Sequence, residues 1–217
     1  KDRLSSGAGG KEFGEEKKIA TIWVVGDSTV SGFNDNYYIP RVGYGEELKN
    51  YLNAEVYNLA VSGASSKDFT TMKNYEILFN GNSDVPKLGD GDNEKFLIIG
   101  FGHNDEKSEA SRYTNPNDGY ETDGSFANSL YKNYIQLALE RGVKPIVVTP
   151  IVRLTDDNTV DSYNSPSGHI TKDVIVGNKI FKGGDYRKAL IDMSNQLGLE
   201  YIDLTTKTID LIVEMGN

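Results

Sequence analysis

Cysteine is absent from this sequence of 217 residues, and histidine occurs only twice, at His103 and His169. Without cysteine the chain has no disulfide framework, no thiolate zinc site and no cysteine nucleophile. Two histidines exclude mechanisms that need several imidazoles, and we expect neither a metal site nor a cofactor. No apolar run approaches the roughly 20 residues that span a bilayer, so we expect no membrane partner.

Positive charge is also scarce in this chain. Lysine and arginine number 23 against 32 aspartate and glutamate residues, which gives a formal net charge of −9. Nucleic-acid binders gain most of their affinity by neutralising phosphates, and so we expect no nucleic-acid partner. A chain of this length buries roughly 70% of its unfolded surface. We therefore predict one acidic domain with a substantial core.

The N-terminal residues differ in composition from the rest. Residues 1–18 are rich in glycine and in charges of both signs, have no apolar period, and predict a flexible arm or linker. The sequence has no initiator methionine and no apolar signal segment. We therefore expect a processed or cloned fragment from which any export signal has already been removed. We expect the protein to be secreted or extracellular, with a cytoplasmic location as the alternative. Residues 19–217 form the predicted domain.

Short apolar segments alternate with amphipathic ones after residue 18. The apolar segments are typical of strands buried on both faces of a parallel sheet. We predict strands over residues 19–25, 55–59, 95–99, 145–149 and 200–204. We predict helices over residues 44–52, 126–141 and 186–197, the last two ending at Gly142 and Gly198. The alternation predicts an α/β fold: a three-layer α/β/α sandwich with a central parallel five-stranded sheet.

Two polar intervals are too long for simple connections. They cover residues 105–124 and 151–184 and are rich in Asn, Asp, Ser, Tyr and Gly. Loops of this length in a compact domain are usually functional or disordered. Both intervals follow the carboxyl ends of predicted strands, where ligands bind in open α/β sheets. We expect them to form a binding rim.

Three further loops carry residues suited to ester chemistry. Ser28, in Gly26-Asp27-Ser28-Thr29, directly follows the first predicted strand and could be a nucleophile or part of a polar turn. Gly63 follows the second strand and could offer an unobstructed backbone N–H, or simply form a loop. Asn104 follows the third strand and brings a side-chain amide of the type used in oxyanion holes, although it could equally be a turn residue. The combination of the three favours a catalytic site.

This combination resembles the SGNH, or GDSL, hydrolases, and within them the rhamnogalacturonan acetylesterase-like carbohydrate esterases. The resemblance covers about residues 19–213 and implies a flavodoxin-like SGNH hydrolase fold. It also implies that Ser28 is the nucleophile of a carboxylic ester hydrolase. The N–H groups of Ser28 and Gly63 and the side chain of Asn104 would then form the oxyanion hole. The segments that carry the resemblance are residues 26–29, 61–66, 101–105, 148–153, 184–186 and 201–205.

The proton acceptor that a serine nucleophile needs is not evident. The resembling family supplies it from an Asp-x-x-His motif near the C-terminus, and this sequence contains no such motif. We expect His103 to be a packed loop histidine. We expect His169 to face solvent or the substrate rim, without a carboxylate partner at useful spacing. We therefore expect a C-terminal segment or another chain to complete the site, and the 217 residues alone to have little or no esterase activity.

The resemblance implies an acetylated plant cell-wall polysaccharide or oligosaccharide as substrate, with pectin rhamnogalacturonan preferred and xylan as the alternative. Rhamnogalacturonan is polyanionic, so this acidic chain would need a locally basic cleft to attract it. The candidates to supply that charge are Arg41, Arg112, Arg153, Lys172 and Arg187, and we predict that Arg153 and His169 lie at the substrate rim. A lipase or thioesterase of the same superfamily and a catalytically incomplete glycan-binding module stay open as alternatives.

Overall fold

The structure is a computed structural model that describes residues 19–33, 36–37, 40–152 and 169–215. Its strands are β1 (Ala20–Gly26), β2 (Ala54–Asn58), β3 (Glu94–Gly100), β4 (Lys144–Val148), β5 (Val174–Val176), β6 (Lys179–Phe181) and β7 (Glu200–Ile202). Its α-helices are α1 (Tyr44–Tyr51), α2 (Lys73–Asn80), α3 (Phe126–Leu130), α4 (Gln136–Leu139), α5 (Tyr186–Leu197) and α6 (Leu204–Met215). A 3-10 helix covers Asp68–Thr71, and a π-helical turn, Tyr131–Ile135, joins α3 to α4.

Five of these strands form one sheet in the order β2-β1-β3-β4-β7. All four strand pairs in it are parallel, with β1 and β3 at the interior of the sheet. This confirms the predicted central parallel five-stranded sheet. The buried, β-branched segments that make up β1, β3 and β4 suit a sheet covered on both faces.

Helices cover the sheet on both sides, which confirms the predicted three-layer sandwich. Because successive side chains of a strand point to opposite faces, Trp23 and Leu97 join one buried cluster and Ile22 and Ile98 join another. The first cluster includes side chains from α2, α3, α4 and α5, and the second is covered by side chains from α1 and α6. Trp23 is fully buried, and its indole Nε1–H donates to the carbonyl oxygen of Pro86 over 2.8 Å.

The helix α5 shows how the sequence fixes the ends of an element. At its start the side chain of Asp185 accepts a hydrogen bond from the backbone N–H of Lys188 over 2.8 Å, as an N-cap does. At its end Gly198 adopts a left-handed conformation with φ of +64°, which a residue with a Cβ rarely adopts. The predicted end at Gly198 is confirmed.

The structure differs from the predicted elements in four places. The helix α2 lies in a stretch with no predicted element. The interval 151–184, predicted as a loop, contains the antiparallel hairpin of β5 and β6. The predicted helix 126–141 ends at Leu139 and contains the π-helical turn. The strand β7 stops at Ile202 because α6 begins at Leu204.

Leu97 on β3 offers a test of the central packing, since its side chain is fully buried between the layers. We expect Leu97→Ala to lower the free energy of unfolding by about 2–5 kcal/mol, because the substitution leaves a cavity. Leu139→Ala is the matched control at a side chain that is 51% exposed. Urea denaturation of both variants measures the difference. A loss at position 97 no larger than that at position 139 would contradict the described packing.

Candidate active site

The first three strands end side by side at one edge of the sheet, as the sequence predicts. The backbone N–H of Val61, after β2, donates to the carbonyl oxygen of Gly26 over 2.9 Å. The backbone N–H of Asp27, after β1, donates to the carbonyl oxygen of Gly100 over 3.3 Å. The loops that carry Ser28, Gly63 and Asn104 therefore start from adjacent positions at the carboxyl edge.

Gly26 and Gly100 allow the strand ends to come this close. A Cβ on Gly26 would lie 2.5 Å from the carbonyl oxygen of Gly100. A Cβ on Gly100 would lie 2.2 Å from the hydroxyl oxygen of Tyr44. Burial raises the pKa of Tyr44, and the charge of Asp27 raises it further, so this phenol stays neutral. Both positions thus require a residue without a side chain.

Ser28 lies in the tight turn that follows β1 and is 8% exposed. The neighbouring Asp27 is fully buried, and its Oδ1 accepts hydrogen bonds from the backbone N–H and the hydroxyl of Thr29, over 2.8 and 2.7 Å. Its carbonyl oxygen also accepts from the N–H groups of Val30 and Ser31. Asp27 thus closes the turn that presents Ser28 at the sheet edge.

Gly63 and Asn104 occupy the flanking loops with geometry suited to donors. Gly63 has a φ of +83°, and in the described part of the chain no atom beyond its two neighbours lies within 4 Å of the point where a Cβ would stand. The Nδ2 of Asn104 donates to the carbonyl oxygen of Ala64 over 2.9 Å. Because that carbonyl can only accept, the contact fixes which end of the amide faces the Gly63 loop. One N–H of the Asn104 amide is used there, and the group carries a second.

The carboxyl group of Asp105 joins these loops, and sequence reasoning missed it as a structural centre. It is fully buried and accepts hydrogen bonds from the backbone N–H of Ser66 (3.0 Å), the hydroxyl of Ser66 (2.5 Å) and the hydroxyl of Thr114 (2.9 Å). Burial raises the pKa of Asp105 to about 7, although these three hydrogen bonds oppose the shift. The only signal in the sequence was its place next to Asn104.

One of the two positions predicted for His169 is contradicted, while its predicted place at the substrate rim stays a prediction. The expectation that it faces solvent is wrong, because only 3% of the residue is exposed. It also has a carboxylate partner, since Nδ1 contacts Oε1 of Glu106, while Nε2 lies 2.9 Å from the carbonyl oxygen of Ile151. A pairing across 63 residues cannot be read from local spacing. Both ring nitrogens are thus engaged, and the ring packs edge-on against that of His103 at 4.8 Å between centroids.

Two of the five candidate cations are bound to carboxylates. Arg112 lies 3.5 Å from Asp68 and 3.4 Å from Glu109, measured between Nε and the nearest carboxylate oxygens. Arg187 forms a two-pronged ion pair with Asp203. Burial alone would raise the pKa of Asp203, but hydrogen bonds from Arg187 and Thr206 lower it to about 2.

The other three candidate cations are Arg41, Lys172 and Arg153. The guanidinium of Arg41 lies over the ring of Phe33, 4.9 Å from its centroid, and Lys172 is exposed. Arg153 lies outside the described residues, so its predicted place at the substrate rim stays a prediction.

Among the described residues, no helix has the length and apolar character needed to cross a bilayer. No cluster of three His, Asp or Glu side chains in that same part of the chain is arranged to hold a metal ion.

The raised pKa of Asp105 predicts that the free energy of unfolding falls as the pH rises. Because its pKa is raised on folding, the native state holds a proton that the unfolded state releases above about pH 4. The contribution of protonated Asp105 to stability is therefore present below about pH 4 and is lost as the pH rises through about 7. We expect Asp105→Asn to remove this fall from the curve of unfolding free energy against pH, measured by urea denaturation.

The matched control is Asp92→Asn, which makes the same change of charge at an exposed position. It should leave the shape of the curve unaltered between pH 4 and pH 8. Parallel curves for native protein and Asp105→Asn over that range would show that Asp105 does not take up a proton on folding.

Comparisons with known proteins agree with this geometry. The model of the GDSL-like Lipase/Acylhydrolase family matches residues 22–214. Two proteins of Bacillus subtilis (strain 168) are similar in sequence. The probable rhamnogalacturonan acetylesterase YesY is 28% identical over 90% of this chain and 75% of its own length. The rhamnogalacturonan acetylesterase RhgT is 27% identical over 88% of this chain and 68% of its own length.

A solved structure, that of the protein YXIM of Bacillus subtilis, shares the fold with a TM-score of 0.59 at 21% identity. The match covers 91% of this chain and 47% of that one, so this chain spans about half the length of that structure. The family match extends over nearly the whole described domain. It confirms the predicted resemblance and the predicted enzyme class, carboxylic ester hydrolase: the chain belongs to the GDSL-like lipase/acylhydrolase family.

Proposed function

We propose that the protein is a serine-dependent carbohydrate esterase that removes O-acetyl groups from a plant cell-wall polysaccharide, preferably rhamnogalacturonan. The observation that carries the proposal is the arrival of Ser28, Gly63 and Asn104 at one sheet edge, with the Asn104 amide held by the carbonyl of Ala64. The names of the two similar Bacillus subtilis proteins support the substrate class.

In the proposed reaction the Ser28 hydroxyl attacks the acetyl carbonyl carbon and gives up its proton. The negative oxygen of the tetrahedral intermediate accepts hydrogen bonds from the N–H groups of Ser28 and Gly63 and from the Asn104 amide. The intermediate collapses to an acetyl-enzyme and releases the sugar hydroxyl, which takes up a proton. Water then releases acetate. Each oxyanion donor of this kind contributes roughly 10²–10³ in rate, or about 3–4 kcal/mol.

We propose further that the base for this proton is not His169. A general base needs one ring nitrogen directed at the serine hydroxyl, and both ring nitrogens of His169 are engaged, by Glu106 and by the carbonyl of Ile151. The sequence contains no Asp-x-x-His, and the proposed source of the base is a further segment or another chain.

Ser28 and Asn104 give the direct test of this mechanism. Acetate release from acetylated rhamnogalacturonan is measured with and without imidazole as an external proton acceptor. We expect imidazole to raise the rate of the native protein. Ser28→Ala should remove this activity, and Asn104→Ala should lower it roughly 10²–10³-fold because a transition-state donor is lost.

The matched control is Ser83→Ala in an exposed turn, which should leave the rate unaltered. Acetate release that survives Ser28→Ala would overturn the proposal. Absence of any release, together with absence of a fluorophosphonate adduct on Ser28, would favour a glycan-binding module instead.

The pairing of Arg112 with Asp68 and Glu109, and of Arg187 with Asp203, favours a second candidate substrate, a neutral acetylated glycan such as xylan. Cations that are bound to carboxylates of their own chain offer little attraction to a polyanion. The net charge of −9 would then repel rhamnogalacturonan but not xylan.

Ionic strength distinguishes the two cases. If the acidic chain repels rhamnogalacturonan, added salt should screen the repulsion and raise kcat/KM for that substrate. The value for acetylated xylan should stay constant, and it serves as the internal control. A fall of kcat/KM for rhamnogalacturonan with added salt would show instead that the cleft is locally basic.

A further inference from the structure

Asp105 lies between the two loops that carry the flanking oxyanion donors. Its carboxyl oxygens contact Ser66, three residues after Gly63, and Thr114, while its own backbone directly follows Asn104. Ser66 and Asp105 are 39 residues apart in the chain. The relative position of the Gly63 N–H and the Asn104 amide therefore depends on a contact between two separate loops.

We propose that Asp105 is a positioning residue of the oxyanion hole: its buried carboxylate clamps the Gly63 loop against the Asn104 loop, and so sets the distance between the two donors. This rests on the proposed function to the extent that Gly63 and Asn104 hold the oxyanion. Donors of this kind must be held within about 0.5 Å of the productive geometry by the residues behind them.

Two buried tyrosines hold the backbone on either side of the clamp. The hydroxyl of Tyr134 donates to the carbonyl oxygen of Ser66 over 2.6 Å. The hydroxyl of Tyr186 lies 2.6 Å from the carbonyl oxygen of Thr114 and 3.0 Å from that of Asp105. These hydrogen bonds fix the position of each loop relative to the π-helical turn and α5, which carry the two tyrosines. Between the loops themselves, the carboxyl of Asp105 acts beside the hydrogen bond from the Asn104 amide to the carbonyl of Ala64.

The clamp needs a carboxylate because three donors converge on it. The two oxygens of an ionised Asp105 accept from Ser66 N–H, Ser66 Oγ and Thr114 Oγ together. The hydroxyls of Ser66 and Thr114 both donate to Oδ1, and the backbone N–H of Ser66 donates to Oδ2. A proton on either oxygen turns that oxygen into a donor, so at least one of these three contacts must rearrange. The Oγ of Ser66 already has a second partner 2.8 Å away, the hydroxyl of Ser129. The complete clamp thus belongs to the ionised form.

The ionisable groups that face this carboxyl come from each element packed against it. They are Asp27 on the turn after β1, Tyr134 on the π-helical turn and Tyr186 on α5, with Glu106 next to it on its own loop. None of them is a cation. The raised pKa of Asp105 follows from burial, with a smaller contribution from the charge of Asp27. We therefore expect the clamp to form and release around neutral pH.

Nuclear magnetic resonance tests the clamp without requiring any esterase activity. In the native 217-residue protein we expect the backbone amide of Gly63 and the side-chain amide of Asn104 to shift with a common midpoint near pH 7. Asp105→Asn should abolish both shifts, and Asp92→Asn should preserve them. Native resonances of Gly63 and Asn104 that stay constant between pH 5 and pH 9 would overturn the proposal.

Kinetics with acetylated rhamnogalacturonan and imidazole provide the second measurement. We expect Asp105→Asn to lower kcat about tenfold with KM nearly unchanged, and to remove the rise of kcat with pH near neutrality, because oxyanion donors act in the transition state. Thr114→Val keeps the carboxylate and removes one donor, so it should lower kcat by a smaller factor. This variant keeps the test valid if Asp105→Asn fails to fold. Matching kcat values for native protein and both variants would overturn the positioning role.

The two proposals fail in different ways. Coupled resonances without acetate release would leave the clamp standing and refute the esterase. Acetate release that depends on Ser28, together with uncoupled resonances, would refute the clamp alone.

Discussion

The site depends on the register in which β1 pairs with β3. That register sets Ala20 opposite Glu94 at one end and Gly26 opposite Gly100 at the other. A slip of one residue would turn Trp23 and Leu97 away from the first buried cluster and would put side chains where the two glycines now meet. The same pairing places the turn of Ser28 beside the loop of Asn104, so packing of the core and geometry of the candidate site are set by one ladder of hydrogen bonds.

Much of this architecture could be predicted from the sequence because its signals are local. The buried strands β1, β3 and β4 appear as short apolar runs, and Gly142 and Gly198 mark the ends of helical stretches. Ser28, Gly63 and Asn104 could be predicted as neighbours because each lies in the loop after a strand, and neighbouring parallel strands bring their carboxyl ends to one edge.

The parts that could not be predicted depend on contacts between distant segments. Glu106 meets His169 across 63 residues, and Asp105 meets Ser66 across 39 residues. Both pairs consist of common loop residues whose spacing carries no information. The arginine pairings belong to the same class, since only the folded chain shows that Arg187 is bound to Asp203. The sequence thus predicted the candidate donors, whereas the groups that hold their loops became evident only in the folded chain.

Trp23 is a built-in fluorescent probe of the central sheet. It is the single tryptophan of the sequence, and it lies fully buried on the strand that leads to Ser28, with its indole nitrogen bound to the carbonyl of Pro86. Its intrinsic fluorescence therefore reports on one place only, the centre of the sheet beneath the site. Unfolding of β1 can be followed by emission alone, without a label and without a contribution from any other indole.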